Sequence, residues 1–151
     1  MVSSVCRRLA LWAGALWLAA GPSAAAAEPF VVVANPSVQG TSVHRADLAA
    51  VFLKKATRWG DGSAATPIDQ SGTSPVRQAF SGAVLQMPVT AVVQYWQRQI
   101  LSATMSPSAI PVVKSSDKEV LAAVAKTRGA VAYVSAGLEL PPGVKAIAVT
   151  D

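Results

Sequence analysis

The sequence predicts an α/β domain in which a mixed sheet carries helices on its faces. Short apolar, β-branched runs alternate along the chain with longer segments whose apolar residues recur at helical spacing. Proline, glycine and polar clusters separate these segments, and no internal repeat or long linker divides them. Alternation of this kind is typical of strands that pair side by side while the intervening helices cover the sheet.

Five segments are predicted as strands because they are short, apolar and bounded by turn residues. The clearest is Phe30–Ala34, which ends at Asn35 and Pro36. The other four lie at 66–69, 111–114, 130–134 and 144–149. Residues 35–44 and 103–110 are predicted as turn or loop.

Four segments are predicted as helices. The first covers 45–55, and the second begins with Ser74 as N-cap and Pro75 at the first helical position and ends before Pro88. The third has the strongest apolar stripe, which consists of Val89, Val92, Val93, Trp96 and Ile100. We interpret Val92, Val93 and Trp96 as core, although the same stripe would suit a partner groove. Ser116 and Glu119 form a capping-box pattern for the fourth, whose predicted core residues are Val120, Leu121 and Val124 before Gly129.

Residues 1–27 have the order of a cleavable secretory signal. Arg7 and Arg8 precede an apolar run of about twelve residues, and small residues lead to Ala27. A membrane-spanning helix needs roughly 20 apolar residues, so a retained anchor is the weaker interpretation. We therefore predict that residues 28–151 form one periplasmic or secreted domain with no stable membrane anchor after cleavage.

Composition argues against several classes of function. The single cysteine, Cys6, precedes the apolar run, so the predicted domain has no disulfide, thiolate metal site or cysteine nucleophile. Its one histidine is His44, and the sequence has no G-x-S-x-G motif that would supply the serine of a catalytic triad. The formal net charge is +5, but no basic run of the kind that binds nucleic acid is present. We expect no catalytic residues, no metal site, no cofactor and no nucleic-acid partner.

One polar segment, between the strand at 66–69 and the second helix, has chemical content. Its candidate ligand-binding residues are Ser71, Gly72, Thr73, Ser74 and Arg77. A helix start exposes unpaired N–H groups, glycine allows close approach of a ligand, and the hydroxyls and the arginine can donate hydrogen bonds. Such a loop suits phosphate or another small oxyanion, although an ordinary capped helix would have the same local features.

Three motifs resemble those of one family in order and spacing. Residues 69–74 resemble the D-G-S-G-T-[ST] loop of the phosphate-type periplasmic substrate-binding proteins of ABC importers. Residues 48–59 resemble that family's L-x-x-I-F-L-G-K-I-x-x-W segment, and residues 128–134 resemble its x-G-A-I-G-Y-V strand. The resemblance extends from residue 30 to about residue 136.

The resemblance implies the architecture of a type-II periplasmic binding protein, which has two α/β lobes around a cleft. The chain is too short for both, so it is expected to form a single three-layer lobe, the one that carries the loop. In the family, the positions of Ser71, Gly72 and Thr73 donate hydrogen bonds to phosphate. Gln70 replaces the family's glycine, and Arg77 is the nearest candidate for its arginine.

The expected function is therefore that of an exported, non-enzymatic phosphate- or oxyanion-binding protein that resembles the substrate-binding component of a phosphate ABC transporter. Its partners would be the anion and an ABC permease. The alternative is a single-lobe interaction or sensory module that keeps the fold without binding phosphate and uses an exposed face to form a homo-oligomer or to bind another protein.

Overall fold

The computed structural model describes residues 28–151, and the predicted signal peptide at residues 1–27 lies outside them. Within residues 28–151, six strands form one mixed sheet in the order β2-β6-β1-β5-β3-β4. They are β1 (Phe30–Ala34), β2 (Ser42–His44), β3 (Thr66–Gln70), β4 (Val112–Lys114), β5 (Ala130–Ser135) and β6 (Lys145–Thr150). All five predicted strands are confirmed. β2 corrects the prediction that residues 35–44 are only turn, because a three-residue strand is too short to show a period.

In the described part of the chain, four α-helices accompany the sheet: α1 (Arg45–Phe52), α2 (Pro75–Phe80), α3 (Val89–Leu101) and α4 (Asp117–Lys126). A π-helical turn over Ser81–Leu85 extends α2, and a 3₁₀ turn covers Pro107–Ala109. The first helix ends three residues earlier than predicted, since Lys54 adopts a left-handed φ of 55°. Gln86 likewise has a φ of 53° and ends the second helical segment just before Met87 and Pro88, as the proline predicted.

The strand directions bring the carboxyl ends of most strands to one edge of the sheet. β1 lies between β5 and β6 and is antiparallel to both, whereas β2, β3 and β4 run parallel to their neighbours. Every strand except β1 therefore ends at the same edge, called here the carboxyl edge. α1, α2 and α4 follow β2, β3 and β4 and begin at that edge.

The helices cover both faces of the sheet, which confirms the three-layer α/β prediction. Val32 of β1 points into a core shared with α1, α2 and α3, and Val33 points into a second core shared with α4. The larger core contains the stacked or tilted aromatic side chains of Phe52, Phe80 and Tyr133.

The α3 stripe is only partly core. Val92 and Trp96 are buried, but Val93 is 49% exposed, which corrects its placement in the core. Adjacent helical residues are separated by about 100° around the axis, so Val93 turns away when Val92 faces the sheet. On α4, Val120 and Val124 are buried as predicted, and Leu121 is half-buried beside them.

The predicted N-cap of α4 is confirmed with one difference. Ser116 Oγ accepts the backbone N–H of Glu119 at 3.3 Å. The Glu119 carboxylate accepts the backbone N–H and the hydroxyl of Ser115, at 3.0 and 2.8 Å, instead of the N–H of the N-cap residue. These hydrogen bonds from Ser115 lower the pKa of Glu119.

Gly129 is predicted to tolerate no side chain. Its φ is +72°, and a Cβ there would lie 2.0 Å from the backbone oxygen of Ala64. We expect Gly129→Ala to lower the free energy of unfolding by at least ~2 kcal/mol, measured by urea denaturation, because the left-handed conformation and the clash add. Gly60→Ala is the matched control, since a Cβ at Gly60 would have no atom within 4 Å and its φ is not left-handed. Equal stability of both variants would contradict this account.

Candidate functional site

The loop formed by Ser71–Ser74 lies at the carboxyl edge, between the end of β3 and the start of α2. The Ser71 N–H donates to the Lys114 oxygen at 3.0 Å, so the loop sits beside the connection from β4 to α4. α2 packs on one face of the sheet and α4 on the other. Ligands of open α/β sheets bind outside the carboxyl ends of strands where successive connections diverge to opposite faces. The loop therefore occupies a favourable position for a binding site.

Hydrogen-bond donors of the loop are available to a ligand. Gly72 and Thr73 are exposed, and the Ser71 and Thr73 hydroxyl oxygens lie 3.1 Å apart. Among residues 28–151, the backbone N–H groups of Gly72, Thr73, Val76 and Arg77 are used in no hydrogen bond. The hydroxyls of Ser71 and Thr73, one of which donates to the other, and the exposed N–H groups of Gly72 and Thr73 can bind an acceptor such as an oxyanion.

Gln70 attaches the loop to the rest of the fold. Its side chain is buried, and its amide nitrogen donates to the backbone carbonyl oxygen of Tyr133 at 2.9 Å and to Asp117 Oδ1 at 2.8 Å. The amide oxygen accepts the hydroxyl of Ser74 at 3.2 Å. Ser74 occupies the predicted N-cap position but makes no side-chain cap bond, and its hydroxyl instead donates to the Gln70 amide oxygen.

A buried ion pair lies beneath the loop. Arg77 Nη1 is 2.6 Å from Asp69 Oδ1, and the two side chains are only 5% and 8% exposed. The same carboxylate oxygen accepts the Gln70 N–H at 2.8 Å and the hydroxyl of Tyr133. Arg77 Nε is buried and has no hydrogen-bond partner within the described part of the chain. The charge of Arg77 is thus compensated inside the protein, and it adds little net positive potential at the loop.

The pKa values of this network follow from its burial. Burial raises the pKa of Asp69, and the Arg77 charge and the Tyr133 hydrogen bond oppose that change. Burial and, secondly, the Asp69 carboxylate raise the pKa of Tyr133, which stays a neutral donor. The Tyr133 ring stacks on Phe80 at 3.9 Å between centroids, so the network rests directly on the apolar core.

The structure places the five predicted site residues in the Ser71–Ser74 loop and the first turn of α2, where they have different surroundings. Ser71, Gly72 and Thr73 present donors at the surface, whereas Ser74 bonds to Gln70 and Arg77 is buried against Asp69. Sequence reasoning did not assign Tyr133 or Asp117 to the site. Tyr133 lies in the strand motif of residues 128–134, and that motif was the only signal for it.

Between residues 28 and 151, no group of three or more histidine, cysteine or acidic side chains could hold a metal ion. His44 is exposed, and its Nδ1 lies 3.1 Å from the hydroxyl oxygen of Thr150. No helix in the same range has the length and apolarity to cross a membrane.

Removal of the Arg77 charge is predicted to destabilise the folded state, because burial of the Asp69 carboxylate is then no longer compensated. We expect Arg77→Met to lower the free energy of unfolding at pH 7 by ~3 kcal/mol, because an unpaired carboxylate remains buried. The pKa of Asp69 would rise further, so the folded state would hold a proton that the unfolded state has lost above about pH 4. Stability of the variant should consequently recover as the pH falls from 7 to 5.

Urea denaturation at both pH values measures this effect, and Tyr133→Phe is the control. That variant removes one hydroxyl and keeps the ion pair, so it should cost ~1 kcal/mol without the same pH dependence. An Arg77→Met variant as stable as the parent at pH 7 would show that the ion pair is not required.

The fold matches solved phosphate-binding receptors. A search of solved structures found an ABC-type phosphate transport receptor from Vibrio cholerae (TM-score 0.57, 17% identity, 80% of this chain and 46% of the other). It also found PstS from Borrelia burgdorferi (TM-score 0.63, 14% identity, 82% and 47%). A third match, from Clostridium perfringens, was solved with bound phosphate (TM-score 0.58, 12% identity, 80% and 44%).

Sequence comparisons add nothing to this result, since no family model and no curated protein matches the chain. The chain spans less than half of the length of the structures it matches. At these identities the agreement concerns the fold. Residues 28–151 have the α/β fold of the phosphate ABC transporter substrate-binding proteins, over part of their length.

Proposed function

We propose that this protein is an exported, non-enzymatic receptor that binds phosphate or a related small oxyanion at the Ser71–Ser74 loop. The observation that carries the proposal is the group of unpaired N–H donors and paired hydroxyls at the carboxyl edge. The shared fold supports it, because the matched proteins are phosphate receptors. Its role would be to deliver the anion to an ABC permease.

In the proposed complex, the hydroxyls of Ser71 and Thr73 and the N–H groups of Gly72 and Thr73 contact the anion. Ser74 and Arg77 do not contact the anion; they support the loop through their bonds to Gln70 and Asp69. Hydrogen bonds to a charged acceptor are stronger than neutral ones, so the four donors can offset part of the anion's dehydration cost. Because Arg77 is paired and one side of the loop faces solvent, binding by this chain alone is expected to be weak.

Binding rather than catalysis is proposed because the matched proteins are receptors and the loop offers donors but no base. Hydrolysis of a phosphate ester requires a general base or a metal ion to activate water. Phosphatase activity in the purified, metal-free protein would contradict the proposal.

The decisive experiment is titration calorimetry with inorganic phosphate, with sulfate in parallel. We expect phosphate to bind with a Kd no tighter than the micromolar range, and Thr73→Ala to weaken binding ~10-fold through loss of one charge-assisted hydrogen bond. Thr104→Ala is the matched control, since Thr104 is exposed and lies beyond the far end of α3. No heat at millimolar phosphate would refute a phosphate receptor built from this chain alone.

The alternative, an interaction or sensory module that does not bind phosphate, is favoured by a different observation. β4 is an edge strand of the sheet, and Val112 and Val113 are 59% and 55% exposed. Free sheet edges with apolar side chains pair readily with other chains. This alternative predicts a concentration-dependent oligomer and no rise in melting temperature with phosphate, whereas the receptor predicts a rise. Sedimentation velocity and a thermal melt separate the two.

A further inference from the structure

The side chain of Gln70 joins three parts of the fold at the base of the loop. It is 3% exposed and makes three hydrogen-bonded connections. It bonds to β5 through the backbone carbonyl oxygen of Tyr133, to the first turn of α4 through the Asp117 carboxylate, and to the loop through the Ser74 hydroxyl. Asp117 is itself held by the Ser135 N–H at 3.3 Å. The loop is therefore attached by side-chain bonds to two elements that follow it in the chain.

Only an amide of this length satisfies all three partners. The NH₂ group supplies two donors to two acceptors, the Tyr133 carbonyl and the Asp117 carboxylate, and the amide oxygen accepts from the Ser74 hydroxyl. A carboxylate would direct acceptors at acceptors. A glycine, as in the loop motif that residues 69–74 resemble, would provide none of these bonds.

We propose that Gln70 is a positioning residue that fixes the Ser71–Ser74 loop in one conformation before any ligand arrives. The inference deepens the proposed function and rests on it for the identity of the ligand. The bond to Ser74 withholds that hydroxyl, so the anion is contacted through Ser71, Thr73 and the neighbouring N–H groups. A loop ordered in advance loses less conformational entropy when it binds.

The first test compares wild type, Gln70→Gly and Gln70→Met by ¹⁵N NMR without ligand. We expect the order parameters of the Gly72 and Thr73 amides to fall from about 0.85 to below about 0.6 in both variants. The amide of Val131, in the centre of the sheet, should keep its value. Gln70→Met preserves side-chain length and packing, so it separates the hydrogen bonds from the cavity that Gln70→Gly creates. Gln86→Gly is the matched control, because Gln86 already has a left-handed φ.

A pH profile of Gln70→Glu distinguishes positioning from packing. At pH 7 the introduced carboxylate would face Asp117 and the Tyr133 carbonyl, so the loop should lose order. Burial and the negative charge of Asp117 raise the pKa of the introduced group. Protonation at about pH 5 then restores one O–H donor, and the loop order should partly return. Wild type and Gln70→Met should show no such recovery.

Inorganic phosphate is then titrated into the same samples. Gln70→Gly should weaken binding ~10-fold relative to wild type if loop order limits affinity. Absence of phosphate-induced shifts in wild type would refute the proposed function but leave the ligand-free comparison intact. Unchanged order parameters for Gly72 and Thr73 in both Gln70→Gly and Gln70→Met would overturn the positioning role, whether or not phosphate binds.

Discussion

The ion pair between Asp69 and Arg77 is the interaction on which the site depends. Burial of two charges is unfavourable unless each is paired and hydrogen-bonded. Asp69 meets this requirement with donors from Arg77, Gln70 and Tyr133 on one carboxylate oxygen. These bonds join β3, α2 and β5, so both ends of the Ser71–Ser74 loop are fixed to the centre of the molecule. The exposed donors of the loop therefore stand on a rigid base, although they are surface groups.

Most of the architecture follows from local sequence patterns. Buried strands such as β1 and β5 are apolar runs that contain several valines, and α3 has a clear helical stripe, so both kinds of element are visible without the structure. β2 is not visible in this way, because three residues with only Val43 half-buried show no period. Its formation depends on β6, whose backbone it pairs with. Similarly, the early end of α1 depends on a left-handed Lys54, which nothing in the residue type requires.

The candidate site is likewise only partly predictable from local sequence patterns. The exposed donors at Ser71, Gly72 and Thr73 are predictable from a polar loop between a strand and a helix start. The surroundings of Arg77 are not, because its partner is set by how α2 packs across β3. A residue that sequence reasoning assigns to the ligand is thus directed toward Asp69. Gln70 shows the reverse, since a departure from the family's loop motif becomes a buried residue whose side chain has three partners.

The central position of β1 has a consequence for the order of folding. β1 is the first strand of the described residues, but its hydrogen-bonding partners, β5 and β6, are the last two. The sheet cannot close until the final strands are available, and such non-local pairing slows folding because the chain must first form a very large loop. Until then the backbone of β1 has no partner strand, and the apolar side chains of Val32 and Val33 are not covered by the complete sheet. The nascent chain therefore exposes the apolar segment of β1 until β5 and β6 are available, and exposed apolar segments of this kind favour aggregation.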